Sequence, residues 1–147
     1  MAELVIKGGV IIDAAGERSG DVVIDGGRVV AVGTGLSADR VIDAGGCVVS
    51  PAFVDLHTHL REPGREEAET IEAASRSAVL GGIGEVMAMP DTRPAIDSAA
   101  AGRDVQALGR DALCDICVAG ASTGGRDGER VARWGGRGGW GGRGVAV

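Results

Sequence analysis

The sequence predicts an α/β protein in which a small β module precedes parallel βαβ units. Short β-branched runs separated by glycine-rich turns fill residues 3–50. From Pro51 onward, apolar runs of strand length alternate with stretches of helical period. Glycine pairs and cap-type residues fall at the joins.

In the first part, Leu4-Val5-Ile6 is followed by Gly8-Gly9, and Val10-Ile11-Ile12 by Ala14-Ala15-Gly16. Val22-Val23-Ile24 leads into Asp25-Gly26-Gly27, a strong hairpin signal, before Val29-Val30-Ala31-Val32. Val41-Ile42 and Cys47-Val48-Val49 flank Gly45-Gly46. A small antiparallel β module over 1–50 is expected, with no catalytic residue type standing out.

Ala52-Phe53-Val54-Asp55-Leu56 then reads as a buried strand. Glu66, Glu67 and Glu69 put negative charge where a helix start favours it. Ile71, Ala74, Ala78 and Val79 share one helical face, and Gly81-Gly82 ends the helix. Val86-Met87-Ala88-Met89 is the next strand, and Asp97 or Ser98 caps a second helix with Ala101, Val105, Leu108 and Ala112 on its apolar face. Ile116 and Val118 belong to a third strand. Such spacing implies right-handed parallel crossovers, in an open doubly wound sheet or at the start of a (β/α)8 barrel. The pattern alone fits both.

Residues 51–133 form this second domain, and 134–147 a Gly/Arg-rich tail. Glycine at that density does not repay its ordering entropy, so the tail is expected to be disordered.

Apolar residues make up 44% and charged residues 24% of 147, ordinary for a soluble domain. The net charge of −6 argues against general nucleic-acid binding. The two arginines of the tail are too few, on an acidic chain, for RGG-type binding of single-stranded RNA. No apolar run spans a bilayer and no signal peptide opens the chain, so no membrane partner is expected. Three cysteines do not make a disulfide framework, and a cytoplasmic location follows. Cys114 and Cys117 form a C-x-x-C, but residues three apart on a strand face opposite sides, so buried packing is expected there and at Cys47. Gly81-Gly82-Ile83-Gly84 follows a helix and precedes a strand, the reverse of a phosphate loop.

The two histidines of the chain are His57 and His59. Two residues apart on a strand, they point the same way, at the C-terminal end where parallel α/β folds place active sites. Imidazoles converging from one strand edge make half of a zinc site. Arg61 follows, with a planar fork suited to a carboxylate. Met89-Pro90-Asp91-Thr92-Arg93-Pro94 closes the next strand and faces the same pocket if the strands are parallel neighbours.

The stretch from Pro51 through Asp55, His57, His59, Arg61 and Gly64 resembles the signature of dihydroorotases in the amidohydrolase superfamily. The likeness continues through Glu69-Thr70-Ile71-Glu72, Gly81-Gly82 and Met89 to Pro94. The opening module also resembles the small β-sandwich that precedes the barrel there. The resemblance implies an incomplete TIM-type (β/α)8 barrel, about its first three βα units. It implies Zn(2+) held by His57 and His59, and a substrate carboxylate held by Arg61 and by the position of Asp91. The implied reaction is the reversible hydrolysis of dihydroorotate to carbamoyl aspartate in pyrimidine synthesis. Allantoinases and hydantoinases share the H-x-H but usually lack the arginine matched by Arg61.

Asp91 stands where the family carries asparagine, and Ala52 where glycine is usual. A full barrel takes about 250 residues, and its later strands carry further ligands and the base, so the chain alone is expected to be inactive. A frameshift near Arg133 is the expected origin of the tail. The competing reading is a non-catalytic partner of aspartate transcarbamoylase; homo-oligomer formation is the other expected association. Inactive homologues of that kind tend to lose the metal histidines, whereas His57 and His59 remain.

Overall fold

The computed structural model describes residues 2–132, Trp134 and the backbone of 144–146. It divides into two compact units, residues 1–51 and 52–147.

The first unit is built on β1 (Leu4–Asp13), which pairs antiparallel with β2 (Gly16–Asp25). β3 (Arg28–Gly33) pairs antiparallel with β2 across a turn in which Gly26 and Gly27 both take positive φ, as a tight hairpin requires. β4 (Arg40–Asp43) and β5 (Val48–Val49) instead run parallel to β1. The unit is therefore one mixed five-stranded sheet, not the antiparallel module expected. The segment after β3 carries the chain from one edge of the sheet to the free edge of β1, and a strand arriving that way runs parallel. The expected break at Gly8-Gly9 is a bulge within one long strand, with Gly8 at φ +76°.

Asp21 is 4% exposed, and its carboxylate accepts from Gly8 N at 2.9 Å and Leu36 N at 3.0 Å. Those two bonds, the Gly8 bond foremost, hold its pKa below the usual carboxylate value. Asp21 thus pins both the bulge and the crossover segment. Cys47, expected to be buried, is exposed.

The second unit opens with β6 (Phe53–Thr58) and α1 (Ile71–Leu80), followed by β7 (Ile83–Ala88), α2 (Ala99–Leu108) and β8 (Asp115–Ala121). β9 (Gly144–Ala146) completes a sheet of order β6-β7-β8-β9, all parallel. The strand at 144–146 departs from the expected disordered tail. Trp134 departs from it too, because its indole N–H donates to Ala121 O at 3.0 Å. The rest of 134–147 lies outside the described residues.

Val86, Ala88 and Val118 face Ile71 of α1 and Val105 of α2 in one buried cluster that also takes in Leu60 and Ile96. By strand alternation, Glu85, Met87 and Cys117 lie on the other face. α1 starts later than Glu66 and Glu67 led us to expect. Thr70 caps it by accepting from Ala73 N, and Glu62 accepts from Ile71 N at 2.8 Å. Ser98, not Asp97, caps α2. Among the described residues no helix is long and apolar enough to cross a membrane.

The depressed Asp21 pKa stabilises the fold at pH above the unfolded value, and that contribution disappears as pH falls through the folded value. In acid unfolding followed by circular dichroism, Asp21→Asn is expected to lower stability at neutral pH. It should also flatten the acid limb, whereas an unchanged profile would show that this carboxylate pins nothing.

Candidate active site

The site lies at the C-terminal ends of β6 and β7. β6 ends at Thr58, so His57 is its penultimate residue and His59 the first residue beyond it. The Asp55 carboxylate accepts from His57 N at 2.9 Å, which is the leading reason its pKa is lowered. That bond lies where the β6–β7 register is irregular, between Asp55 and Thr58. Both imidazoles turn to the same side, and their Nε2 atoms stand 3.2 Å apart with the rings tilted by 58°. A tetrahedral ion with bonds of ~2.0–2.1 Å to nitrogen sets its ligand atoms about 3.3 Å apart. The pair therefore has the spacing of two adjacent positions in such a coordination sphere. Among the described residues, no group of three or more His, Cys, Asp or Glu side chains is placed to hold a metal ion.

The next strand supplies a contact absent from the sequence reading. Asp91, three residues past β7, places Oδ2 3.0 Å from His59 Nδ1. Its other oxygen, Oδ1, is buried without a hydrogen-bond partner. Burial works to raise the Asp91 pKa, but the hydrogen bond and charge of His59 outweigh it, with Arg126 helping, and the net shift is downward.

Two loops have to meet for this contact to exist. Met89 N donates to Thr58 O at 2.9 Å, carrying the β6–β7 ladder past the strand ends. Beyond it, Arg93 N donates to Pro63 O at 2.9 Å and joins the two loops. Gly64, at φ +98°, sits so close to Arg93 that a Cβ there would overlap the Arg93 Cβ and carbonyl oxygen. The loop after β8 is tied in as well, since Gly125 N donates to Asp97 Oδ2 at 2.7 Å.

Arg61 is half-buried in the loop that follows the histidines and forms no ion pair among the described residues. The structure thus joins His57, His59 and Asp91, and leaves Arg61 nearby in sequence but outside their contacts. Arg65, Arg93 and Arg126 were missed by sequence reasoning; with Asp91 they line an open cleft of about 480 Å³. Arg93 lies in the Met89–Pro94 motif and was its only advance signal. Also unforeseen is the Cys117 thiol, which donates to Glu85 Oε1 at 2.8 Å across β8 and β7. Cys114 is buried, as expected.

Gly64→Ala puts a side chain into a left-handed conformation and against Arg93, at a cost of about 1–3 kcal/mol for the backbone alone. Urea unfolding should register that loss, and the histidine ring resonances should shift in NMR spectra. Native-like spectra and stability would mean that the seam between the loops does not hold the site.

The family model described as dihydro-orotase-like matches residues 46–135. A dihydroorotase of Pelobacter propionicus is 50% identical over 91 residues, 61% of this chain and 22% of that protein. One from Caldanaerobacter subterraneus subsp. tengcongensis is 41% identical over 132 residues, 87% of this chain and 31% of its own length. The chain thus spans less than a third of either relative. Among solved structures, the L-hydantoinase (dihydropyrimidinase) of Arthrobacter aurescens superposes with a TM-score of 0.75 at 27% identity, over 84% of this chain and 28% of that one. A D-hydantoinase from Bacillus sp. AR9 gives 0.68 at 30% identity, over 82% and 28%. Carrying the motif histidines at the end of its first parallel strand, the chain belongs to the dihydro-orotase-like family.

Proposed function

We propose that the chain carries the metal-binding strand of a dihydroorotase-type cyclic amidohydrolase, acting on dihydroorotate and carbamoyl aspartate in pyrimidine synthesis. The single observation that carries this reading is the convergence of His57 Nε2 and His59 Nε2 to 3.2 Å at the C-terminal end of β6. Zn(2+) is the ion whose ligand preference and spacing fit that pair. The chemistry such an ion supplies is polarisation of the ring amide carbonyl and activation of water.

The chain's own residues bind and orient. His57 and His59 present their Nε2 atoms to the ion. Arg61 offers a fixed cationic fork to the substrate carboxylate, which favours the dihydroorotase reading over a hydantoinase, whose substrates need no such group. The dihydroorotase relatives at 41–50% identity support the same choice over the hydantoinases at 27–30%.

The strand order β6-β7-β8-β9, without reversal, supports a (β/α)8 barrel over a doubly wound sheet, which changes direction at a switch point. Phe53, Val54 and Leu56 of β6 are exposed, and among the described strands β6 pairs with β7 alone. That open edge is what a barrel's remaining strands would cover. With two imidazole ligands where a catalytic zinc takes three protein groups, these 147 residues alone are expected to bind the ion weakly and turn nothing over.

Zinc titration with a competing chromophoric chelator should give one site per chain, lost in His57→Ala. In the loaded chain, carbamoyl aspartate should perturb NMR resonances around Arg61. Arg61→Met should weaken that binding about 10- to 100-fold, the value of a charge-assisted pair. Equal binding of hydantoin and carbamoyl aspartate, insensitive to Arg61, would favour the hydantoinase reading. No zinc uptake would favour a non-catalytic partner of aspartate transcarbamoylase.

A further inference from the structure

We propose that Asp91 is a positioning residue that fixes the tautomer and orientation of His59, not a group that holds substrate. The geometry carries this. Asp91 Oδ2 stands 3.0 Å from His59 Nδ1, and Asp91 Oδ1 is buried without a partner. An ionised carboxylate has only acceptor capacity, so it cannot donate to a substrate carboxylate. Facing Nδ1, it can only accept, so a proton of His59 is held on Nδ1.

With a proton on Nδ1, Nε2 is the nitrogen that His59 presents toward His57, 3.2 Å away, and toward an ion. A carboxylate on the far nitrogen of a ligating histidine also raises its basicity, and losing such a partner typically costs 10- to 100-fold in metal affinity.

Asp91 reaches His59 because the loops after β6 and β7 are joined through Pro63 and Arg93. Arg126 lines the adjoining cleft together with Asp91.

Only the effect on affinity rests on the metal reading above; the tautomer does not. Long-range 1H–15N correlation spectra of the metal-free, 15N-labelled 147-residue chain at neutral pH report the tautomer directly. The wild type should show His59 protonated on Nδ1. In Asp91→Ala, His59 should move toward the Nε2-protonated form that imidazole prefers in water, and zinc affinity should fall 10- to 100-fold. Asp91→Asn, of the same shape and still able to accept through its amide oxygen, should keep the tautomer and lose less affinity. Wild-type His59 protonated on Nε2 would overturn the proposal without recourse to any variant. So would an Asp91→Ala chain whose tautomer and zinc affinity are both unchanged. The expected tautomer in a wild-type chain that takes up no zinc would sustain the role of Asp91 and defeat the metal reading instead.

Discussion

The site depends on a seam between two loops. β6 delivers His57 and His59, and β7 delivers Asp91, but parallel strands bring only their ends together. The loops beyond them diverge unless something joins them. Here the joint is the bond from Arg93 N to Pro63 O, at 2.9 Å, with the bare α-carbon of Gly64 laid against Arg93. A side chain at position 64 would wedge the loops apart. Glu62 fastens the same loop to the start of α1 through Ile71 N, so the seam is anchored to the buried core on which both helices pack.

The rest of the second unit reads as support for that seam. Ile71 and Val105 bind the helices to Val86, Ala88 and Val118, and Leu60, directly after the histidines, is buried in the same cluster. A core residue one position from His59 limits how far that backbone can drift. The loop after β8 joins the array through Gly125 and Asp97. Three successive strand ends are thus linked in series.

Much of this was legible in the sequence because its signals are local. Strand runs, the Gly26-Gly27 turn, the Ser98 cap and the helical faces depend on neighbours within a few residues. So does the H-x-H pair, since alternation along one strand already aims both rings. What was not legible depends on register between distant segments. Nothing near residue 91 announces that its carboxylate meets His59, and by resemblance alone that position is a substrate contact. The parallel course of β4 and β5 likewise depends on where the chain crosses the sheet. Cys117 and Glu85 meet only because β7 and β8 are neighbours in a particular register. Glu66 and Glu67 misled in the opposite sense: acidic residues before a helix suit its start, yet Thr70 and Glu62 occupy the capping positions.

Zinc bound to the chain is proposed to sit on the histidine pair and not on the thiols of Cys114 and Cys117. X-ray absorption at the zinc edge of the loaded chain tests it most directly. The expected spectrum shows nitrogen and oxygen neighbours at about 2.0–2.1 Å, with the outer-shell scattering of two imidazoles. A sulfur shell at about 2.3 Å, or a spectrum without imidazole scattering, would contradict it.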